Sequence, residues 1–329
     1  MSFQKFPLTM GPSVDWTRER VAIAAGGPSC EREISLISGQ AVLEALAAKA
    51  IPAILLDPVG DFLDTLKKEN ISMVFLALHG TFGEDGTIQR ILGEEGILYT
   101  GSGVETSETA FDKSRAQRLF QKAGVQVPDF VIVRKGEALR LPKKLSFPVV
   151  VKPSTSGSSV GISIVMGEVD YEKAILEAFR YSEAILVDRY IPGRELTVGF
   201  LGGEPLPIVE VITRRKFYDY QAKYKDTGTR YEFPAKLTAK EARRVTEMAS
   251  KAYEALGCEV MARVDVILGE DGEPYVLEAN TIPGLMGKSL LPKAALAAGI
   301  DFPALCVKIL TSSLGTRRVK EKLVQNETH

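Results

Sequence analysis

Cysteine and histidine are scarce in this chain, and neither sign of charge dominates. Its three cysteines, Cys30, Cys258 and Cys306, are odd in number and share no CxxC spacing, and one of only two histidines is the terminal His329. That excludes a disulfide scaffold and a His/Cys zinc site. Lys+Arg 41 against Asp+Glu 42 leaves a net charge of −1 at pH 7, so no large positive excess exists to neutralise the phosphates of a nucleic acid. A nucleic-acid partner is not expected. Long apolar runs are missing too: the longest, Ile71 to Leu78, is too short to cross a bilayer, and the N-terminal MSFQKFPLTMGPSVDW has no apolar core of signal-peptide length. No membrane partner is expected, and a cytoplasmic location is. What remains is an ordinary globular composition of 45% hydrophobic, 25% charged and 8% aromatic residues, which excludes disorder, collagen and coiled coil. At roughly 100 to 200 residues per domain, the length predicts two or three domains.

Short apolar runs alternate with segments of helical period. Val21 to Ala25 reads as a buried strand ending at Gly26-Gly27, and Glu31 to Ala50 then brings Ile34, Ile37, Ala41, Leu43 and Leu46 near one helical face. Strands at Ile51 to Leu56, Ile71 to Leu78 and Ile97 to Tyr99, with helical patterns at Phe62 to Lys68 and Thr87 to Glu95 between them, predict a parallel α/β domain over 21–104, after an N-terminal extension 1–20. A helix over Asp112 to Ala123 opens a smaller α+β domain, 105–188. Its strands are expected at Phe130 to Val133, Phe147 to Lys152, Gly161 to Val165 and Ala184 to Asp188, with a helix near Asp170 to Arg180. The third part, 189–329, holds strands Glu195 to Leu201 and Leu206 to Val211, a polar loop Thr213 to Phe233, a long helix Thr238 to Leu256, and a hairpin Met261 to Asn280. The fold class is therefore α/β, with α+β character in the centre.

Familiar phosphate motifs fail. Gly287-Lys288-Ser289 has the tail of a Walker A loop, but Ile282 stands where the first glycine is required, and Gly101-Ser102-Gly103 is followed by Thr106 where a dinucleotide fingerprint needs glycine. Three other stretches carry chemistry. In the hairpin, period-2 alternation sends Arg263 and Asp265 to one face and, on the returning strand, Glu278 and Asn280 to one face. If the two faces coincide, an arginine, two carboxylates and an amide oxygen share a patch whose hard ligands suit Mg²⁺ with substrate phosphates; otherwise it is a solvated sheet face. Val149 to Gly161 delivers Lys152 at the end of a buried strand and then a Gly/Ser loop, which either covers phosphates or merely connects two strands. Phe217 to Tyr224 is too aromatic for a plain linker, and packs a lid onto a site or tethers the loop to the body.

Taken in order, Gly26-Gly27-Pro28-Ser29-Cys30-Glu31-Arg32-Glu33-Ile34-Ser35, Ala77-Leu78-His79-Gly80, Gly83-Glu84-Asp85-Gly86, Tyr99-Thr100-Gly101-Ser102-Gly103, the Lys152 loop, the Tyr224 loop and Leu277-Glu278-Ala279-Asn280-Thr281-Ile282-Pro283-Gly284 resemble the D-alanine–D-alanine ligases. The resemblance spans roughly Val21 to Leu314. It implies a three-domain ATP-grasp enzyme, a cytoplasmic homodimer, with ATP held between the second and third parts. By position, Lys113, Lys152, Ser158 and Lys223 would reach the phosphates, Asp188, Arg189, Tyr190 and Ile191 would pass the adenine, and Glu195 would hold the ribose. Asp265, Glu278 and Asn280 would bind two Mg²⁺ ions, for which Mn²⁺ can substitute. Glu31 would face the ammonium of the first D-alanine and His79 its carboxylate. Arg263 and the Gly284 backbone would steady the acyl-phosphate and the tetrahedral intermediate, and Ser289 with Leu290 would take the second D-alanine. Glu31, Ser158 and Tyr224 would form a hydrogen-bonded trio linking the first domain to the loops that close the site.

The implied reaction passes the γ-phosphoryl of ATP to one D-alanine carboxylate, after which the amine of a second D-alanine attacks the acyl-phosphate, for peptidoglycan precursor synthesis. Three departures stand out: Asp188 where the family usually has glutamate, Cys30 where alanine is commoner, and the less polar Leu285-Met286-Gly287-Lys288 beside Ser289. The alternatives are a D-alanine–D-lactate or D-alanine–D-serine ligase, or a nucleotide-binding relative without turnover. Intact Arg263, Asp265, Glu278 and Asn280 argue against the last. In relatives, phenylalanine at the position of Tyr224 goes with a hydroxy-acid acceptor, so Tyr224 implies D-alanine.

Overall fold

The computed structural model describes residues 14–16, 19–137, 140–157, 159–213 and 228–327. Four parallel strands come first: β1 (Val21–Ala24), β2 (Ala53–Leu56), β3 (Met73–Leu76) and β4 (Leu98–Tyr99), in the order β2-β1-β3-β4. Every residue of β1 and β3 is buried, as expected of parallel strands covered on both faces. Helices α1 (Arg32–Ala47), α2 (Phe62–Lys68) and α3 (Thr87–Glu94) make the crossovers. Because β1 and β3 are neighbours in register, the loops that leave their carboxyl ends emerge side by side, where open parallel sheets place their ligands. Those loops carry Glu31 and His79.

Two helices follow, α4 (Val104–Phe111) and α5 (Lys113–Lys122), joined at Asp112, whose carboxylate accepts from the Ser114 N–H at 2.9 Å and caps α5. The second sheet is antiparallel, in the order β5-β8-β6-β7, from β5 (Phe130–Arg134), β6 (Val149–Pro153), β7 (Ser163–Val165) and β8 (Ala184–Arg189). One face packs Val149, Val151, Ile185 and Val187 against α6 (Glu168–Ala178). Alternation turns Val150, Lys152 and Asp188 to the other face.

The third sheet runs β12-β11-β9-β13-β14, with β10 (Glu204–Pro205) paired to β9. Its strands are β9 (Gly193–Leu201), β11 (Val209–Ile212), β12 (Arg230–Glu232), β13 (Met261–Gly269) and β14 (Pro274–Asn280). Helix α7 (Ala239–Leu256) opens with a Thr238–Glu241 capping box and stops at Gly257, whose φ of +68° is left-handed. It packs on one face of the sheet together with Ala116 and Phe120 of α5. On the other face lie α8 (Leu290–Ala297) and α9 (Phe302–Glu327). Their Leu291, Ala294, Leu305 and Ile309 join Leu201, Met261 and the buried residues of β1 and β3 in one apolar core. The first and third sheets are thereby held together by continuous packing.

Several expectations change. The expected strand Leu206 to Val211 begins only at Val209, as β11, after the separate β10 ends at Pro205, because Pro207 cannot donate to a ladder. The polar stretch Thr213 to Phe233 ends in β12, where Tyr231 and Phe233 pack on the core while Arg230 and Glu232 mask the alternation. Helices α4, α8 and α9 were not anticipated. In α8, Pro292 sits in the first turn, where its missing N–H has no intrahelical partner to lose. Among the described residues no single helix is long and apolar enough to cross a membrane.

Candidate active site

The Ser29 hydroxyl accepts the Glu31 N–H at 3.0 Å and turns the chain from β1 into α1. Space for the Glu31 carboxylate comes from two glycines. A Cβ on Gly80 would stand 2.8 Å from Glu31 Oε2, and one on Gly157 2.5 Å; Gly80, at φ +73°, also needs the left-handed freedom of glycine. The loop after β6 therefore reaches the first sheet at Glu31. His79 is buried, with Nε2 3.0 Å from Ser38 Oγ and Nδ1 3.6 Å from Glu84 Oε1. Side chains, not backbone groups, orient its ring.

In the hairpin the register pairs Arg263 with Asn280 and Asp265 with Glu278 directly, so the two polar faces coincide. The Arg263 guanidinium donates through Nε and Nη2 to the two oxygens of Asp265, both at 2.8 Å, a bidentate fork that Thr197 Oγ1 extends with a bond of 2.8 Å. Glu278 lies 3.4 Å from the Lys113 ammonium, which also donates to the Ser156 carbonyl at 2.7 Å. Asn280 Oδ1 accepts the Ile282 N–H at 3.0 Å. Among the described residues no group of three or more His, Cys, Asp or Glu is placed to hold a metal alone. Two carboxylates and an amide oxygen nonetheless fit Mg²⁺, which keeps several waters and completes its shell with substrate phosphates.

On the other side, Lys152 on β6 and Asp188 on β8 form a diagonal ion pair of 2.6 Å with both side chains buried. Burial pushes the Asp188 carboxyl above the ordinary range, and the ammonium of Lys152 offsets part of that push. Its Oδ1 is buried and makes no hydrogen bond to the described chain. Arg189 turns its guanidinium over the Tyr275 ring, 5.3 Å from the centroid.

Two cavities meet here. A larger one, of about 400 Å³, is lined by Lys152, Asp188, Arg189, Tyr190, Ile191, Glu195, Asp265 and Glu278. A smaller one, of about 100 Å³, is lined by Glu31, His79, Lys113, Arg263, Glu278, Asn280, Gly284, Ser289 and Leu290. Glu278, Ser159 and Ile162 line both. The first suits a nucleotide-sized ligand and the second a small amino acid. At the far end of the smaller cavity, Ser289 starts α8, accepts the Met286 N–H through Oγ at 3.2 Å and makes no cap bond to the helix. Ser158, Lys223 and Tyr224 lie outside the described residues.

The sequence reading missed Glu84, which orients His79, Ser156, which holds Lys113, and Lys288, all lining the smaller cavity. It also missed the Arg194–Glu210 pair beside the nucleotide-sized cavity, with bonds of 2.8 and 2.6 Å. Glu84, Ser156 and Lys288 each left a signal, in Gly83-Glu84-Asp85-Gly86, in the Gly/Ser loop after Lys152 and in Leu285-Met286-Gly287-Lys288; Arg194 and Glu210 left none.

Family models for the D-ala D-ala ligase N-terminus and C-terminus match residues 61–102 and 119–311. The chain is 43% identical over 296 residues to the D-alanine–D-alanine ligase of Citrifermentans bemidjiense, covering 90% of this chain and 96% of that one. It is 43% identical over 295 residues to the enzyme of that name from Nitrosomonas europaea, covering 89% and 97%. The crystal structure of D-alanine–D-alanine ligase from Bacillus anthracis complexed with ATP superposes with a TM-score of 0.82 at 32% identity, covering 92% of this chain and 99% of that one. With sequence similarity over nine-tenths of its length and the same fold, the chain belongs to the D-alanine–D-alanine ligase family.

Proposed function

We propose that this protein joins two D-alanine molecules into D-alanyl-D-alanine, converting ATP to ADP and phosphate through a D-alanyl-phosphate intermediate, for cell-wall precursor synthesis. The observation that carries the reading is the pairing of Arg263 with Asn280 and Asp265 with Glu278 at the seam of the two cavities. A phosphoryl group leaving the larger cavity for an acceptor in the smaller one must pass these residues.

ATP occupies the larger cavity, with its adenine along Asp188 to Ile191, its ribose at Glu195, and its phosphates toward Lys152, Lys113, Ser158 and Lys223. Asp265, Glu278 and Asn280 would hold Mg²⁺, which when bound neutralises phosphate charge and orients the phosphates. The first D-alanine places its ammonium at Glu31 and its carboxylate near His79. One oxygen of that carboxylate attacks the γ-phosphorus, the bond to the β-phosphate oxygen breaks, and ADP leaves. Such a transfer depends on in-line positioning and charge neutralisation more than on a protein nucleophile. The free amine of the second D-alanine, its carboxylate on Ser289 and the Leu290 N–H, attacks the acyl carbon. Arg263 and the Gly284 backbone receive the negative charge of the tetrahedral intermediate. Collapse expels phosphate, and the proton leaves the new amide nitrogen. Water must stay out, because it would hydrolyse the acyl-phosphate; the loops holding Ser158 and Tyr224 serve as covers.

We assign 21–104 to first-substrate binding, and 105–188 with 189–329 to the nucleotide. The protein acts in the cytoplasm as a homodimer, consistent with three unpaired thiols. The test is phosphate release with D-alanine alone, then with D-alanine plus D-lactate, D-serine or L-alanine, each with product analysis. Dipeptide from D-alanine alone is expected; ATP turnover only with D-lactate or D-serine would reassign the second substrate.

A further inference from the structure

The segment from Gly284 to Ser289 closes on itself: the Ser289 N–H donates to the Met286 carbonyl at 2.8 Å, and the Met286 N–H to Ser289 Oγ at 3.2 Å. Neither bond ties the segment to the rest of the molecule. Lys293 does. One turn along α8, its backbone N–H donates to the Ser289 carbonyl at 3.1 Å, and its ammonium reaches back to donate to the Lys288 carbonyl. The same ammonium faces the ring of Tyr231, 4.6 Å from the centroid. Tyr231 lies on β12, the strand that follows the segment carrying Lys223 and Tyr224. One buried cation thus joins the turn before α8 to a strand of the third sheet.

We infer that Lys293 is a positioning residue for the second amino acid: it fixes the turn that presents Ser289 Oγ and supplies positive charge one helical turn from the carboxylate received there. The inference rests on the proposed assignment of Ser289. A lysine is seldom buried without a countercharge, and the two partners described for Lys293 are a carbonyl and a ring face, both neutral. Burial and the cation of Lys288 both push its pKa down. The charge is held under electrostatic strain that an arriving carboxylate relieves, so binding of that carboxylate is where Lys293 should register. Lys293 does not line either cavity; it acts through the turn and through its field.

The test is steady-state kinetics at saturating ATP, with the rate against D-alanine concentration resolved into constants for the first and second molecule. Lys293→Met keeps the length and removes the charge. It should raise the second constant at least tenfold, while the first constant and the KM for ATP stay within twofold. Lys293→Arg, which keeps the charge, should stay within threefold of the unmodified chain. Tyr231→Leu removes only the ring face and should raise the second constant about threefold. An unchanged second constant in Lys293→Met, or a common rise in all three constants, overturns the inference. Should Lys293→Met not fold, an unchanged second constant in Tyr231→Leu overturns it equally. An unmodified chain that makes no dipeptide would defeat the functional proposal, and the inference with it. Dipeptide synthesis by the unmodified chain with an unaffected Lys293→Met variant defeats the inference alone.

Discussion

Replacing Lys152 by methionine tests the buried pair that joins two strands lining the larger cavity. The ammonium and the Asp188 carboxylate are 2.6 Å apart, with side chains only 7% and 4% exposed. At an effective dielectric near 20 their bare attraction is about 6 kcal/mol, and in the intact pair most of this is offset by the cost of removing both ions from water. Lys152→Met removes the attraction and leaves the desolvated carboxylate, so the loss should be about 3–5 kcal/mol. Asp188 can lower that loss only by taking up a proton. Burial already raises its folded-state pKa against the opposing pull of Lys152, and without Lys152 it rises further. The folded variant then keeps its proton at pH values where the unfolded chain has lost it. Its stability is fully present below the unfolded carboxyl pKa, near 4, and is lost as pH rises toward the folded value, by at most about 1.4 kcal/mol per pH unit. Urea titrations at pH 5 and pH 8, read by amide exchange in β6 and β8 because a multi-unit chain need not unfold in one step, should show the variant weakest at pH 8. Lys152→Met/Asp188→Leu removes both charges and should recover most of the loss. A single variant as stable as the unmodified chain at pH 8, or a double variant no better than the single, would refute the reasoning.

Glu278→Gln keeps the shape and removes a charge at the seam of the two cavities, so turnover should fall by orders of magnitude while urea stability holds; near-normal turnover at limiting Mg²⁺ would remove Glu278 from the metal site. Cys30 is the exposed thiol, whereas burial pushes the Cys258 and Cys306 thiols up to about 12, so a thiol reagent at pH 8 should label Cys30 alone, as mass spectrometry of the native protein will show. Cys30→Ala should keep its activity and become insensitive to the reagent. Tyr224→Phe deletes a hydroxyl whose hydrogen bonding is typically worth about 0.5 to 1.5 kcal/mol, and should raise the D-lactate product relative to D-alanine, most at low pH where the free amine is scarce. A product ratio unchanged from pH 6 to 9 would move selectivity to the turn at 285–289.

Legibility followed periodicity. The two-residue period of Arg263 to Leu268 and Leu277 to Asn280 reveals which side chains of each strand share a face, while the register that pairs Asp265 directly with Glu278 comes from the structure. The apolar runs of β1 and β3 were equally clear as strands, because both are buried on both faces, although the expected run Ile71 to Leu78 overshoots β3 (Met73–Leu76) by two residues at each end. Helix α8 was not legible: Leu290 to Ala297 is short, apolar on most sides and interrupted by Pro292, so it shows no amphipathic stripe. Pairings that cross between units were hidden for another reason. The Lys113–Glu278 contact and the cradling of Glu31 by Gly157 join residues far apart in sequence, and no local pattern encodes them; the Lys152–Asp188 pair lies within one sheet but on separate strands, β6 and β8, and is equally silent locally.

The proposed reaction turns most directly on the origin of one oxygen atom. D-Alanine labelled with ¹⁸O in its carboxylate, incubated with the protein, ATP and Mg²⁺, allows the released phosphate to be read by mass spectrometry. Attack of that carboxylate on the γ-phosphorus predicts one ¹⁸O in the phosphate for each D-alanyl-D-alanine formed, with ADP as the nucleotide product. Dipeptide accompanied by unlabelled phosphate, or label appearing in AMP, would contradict it.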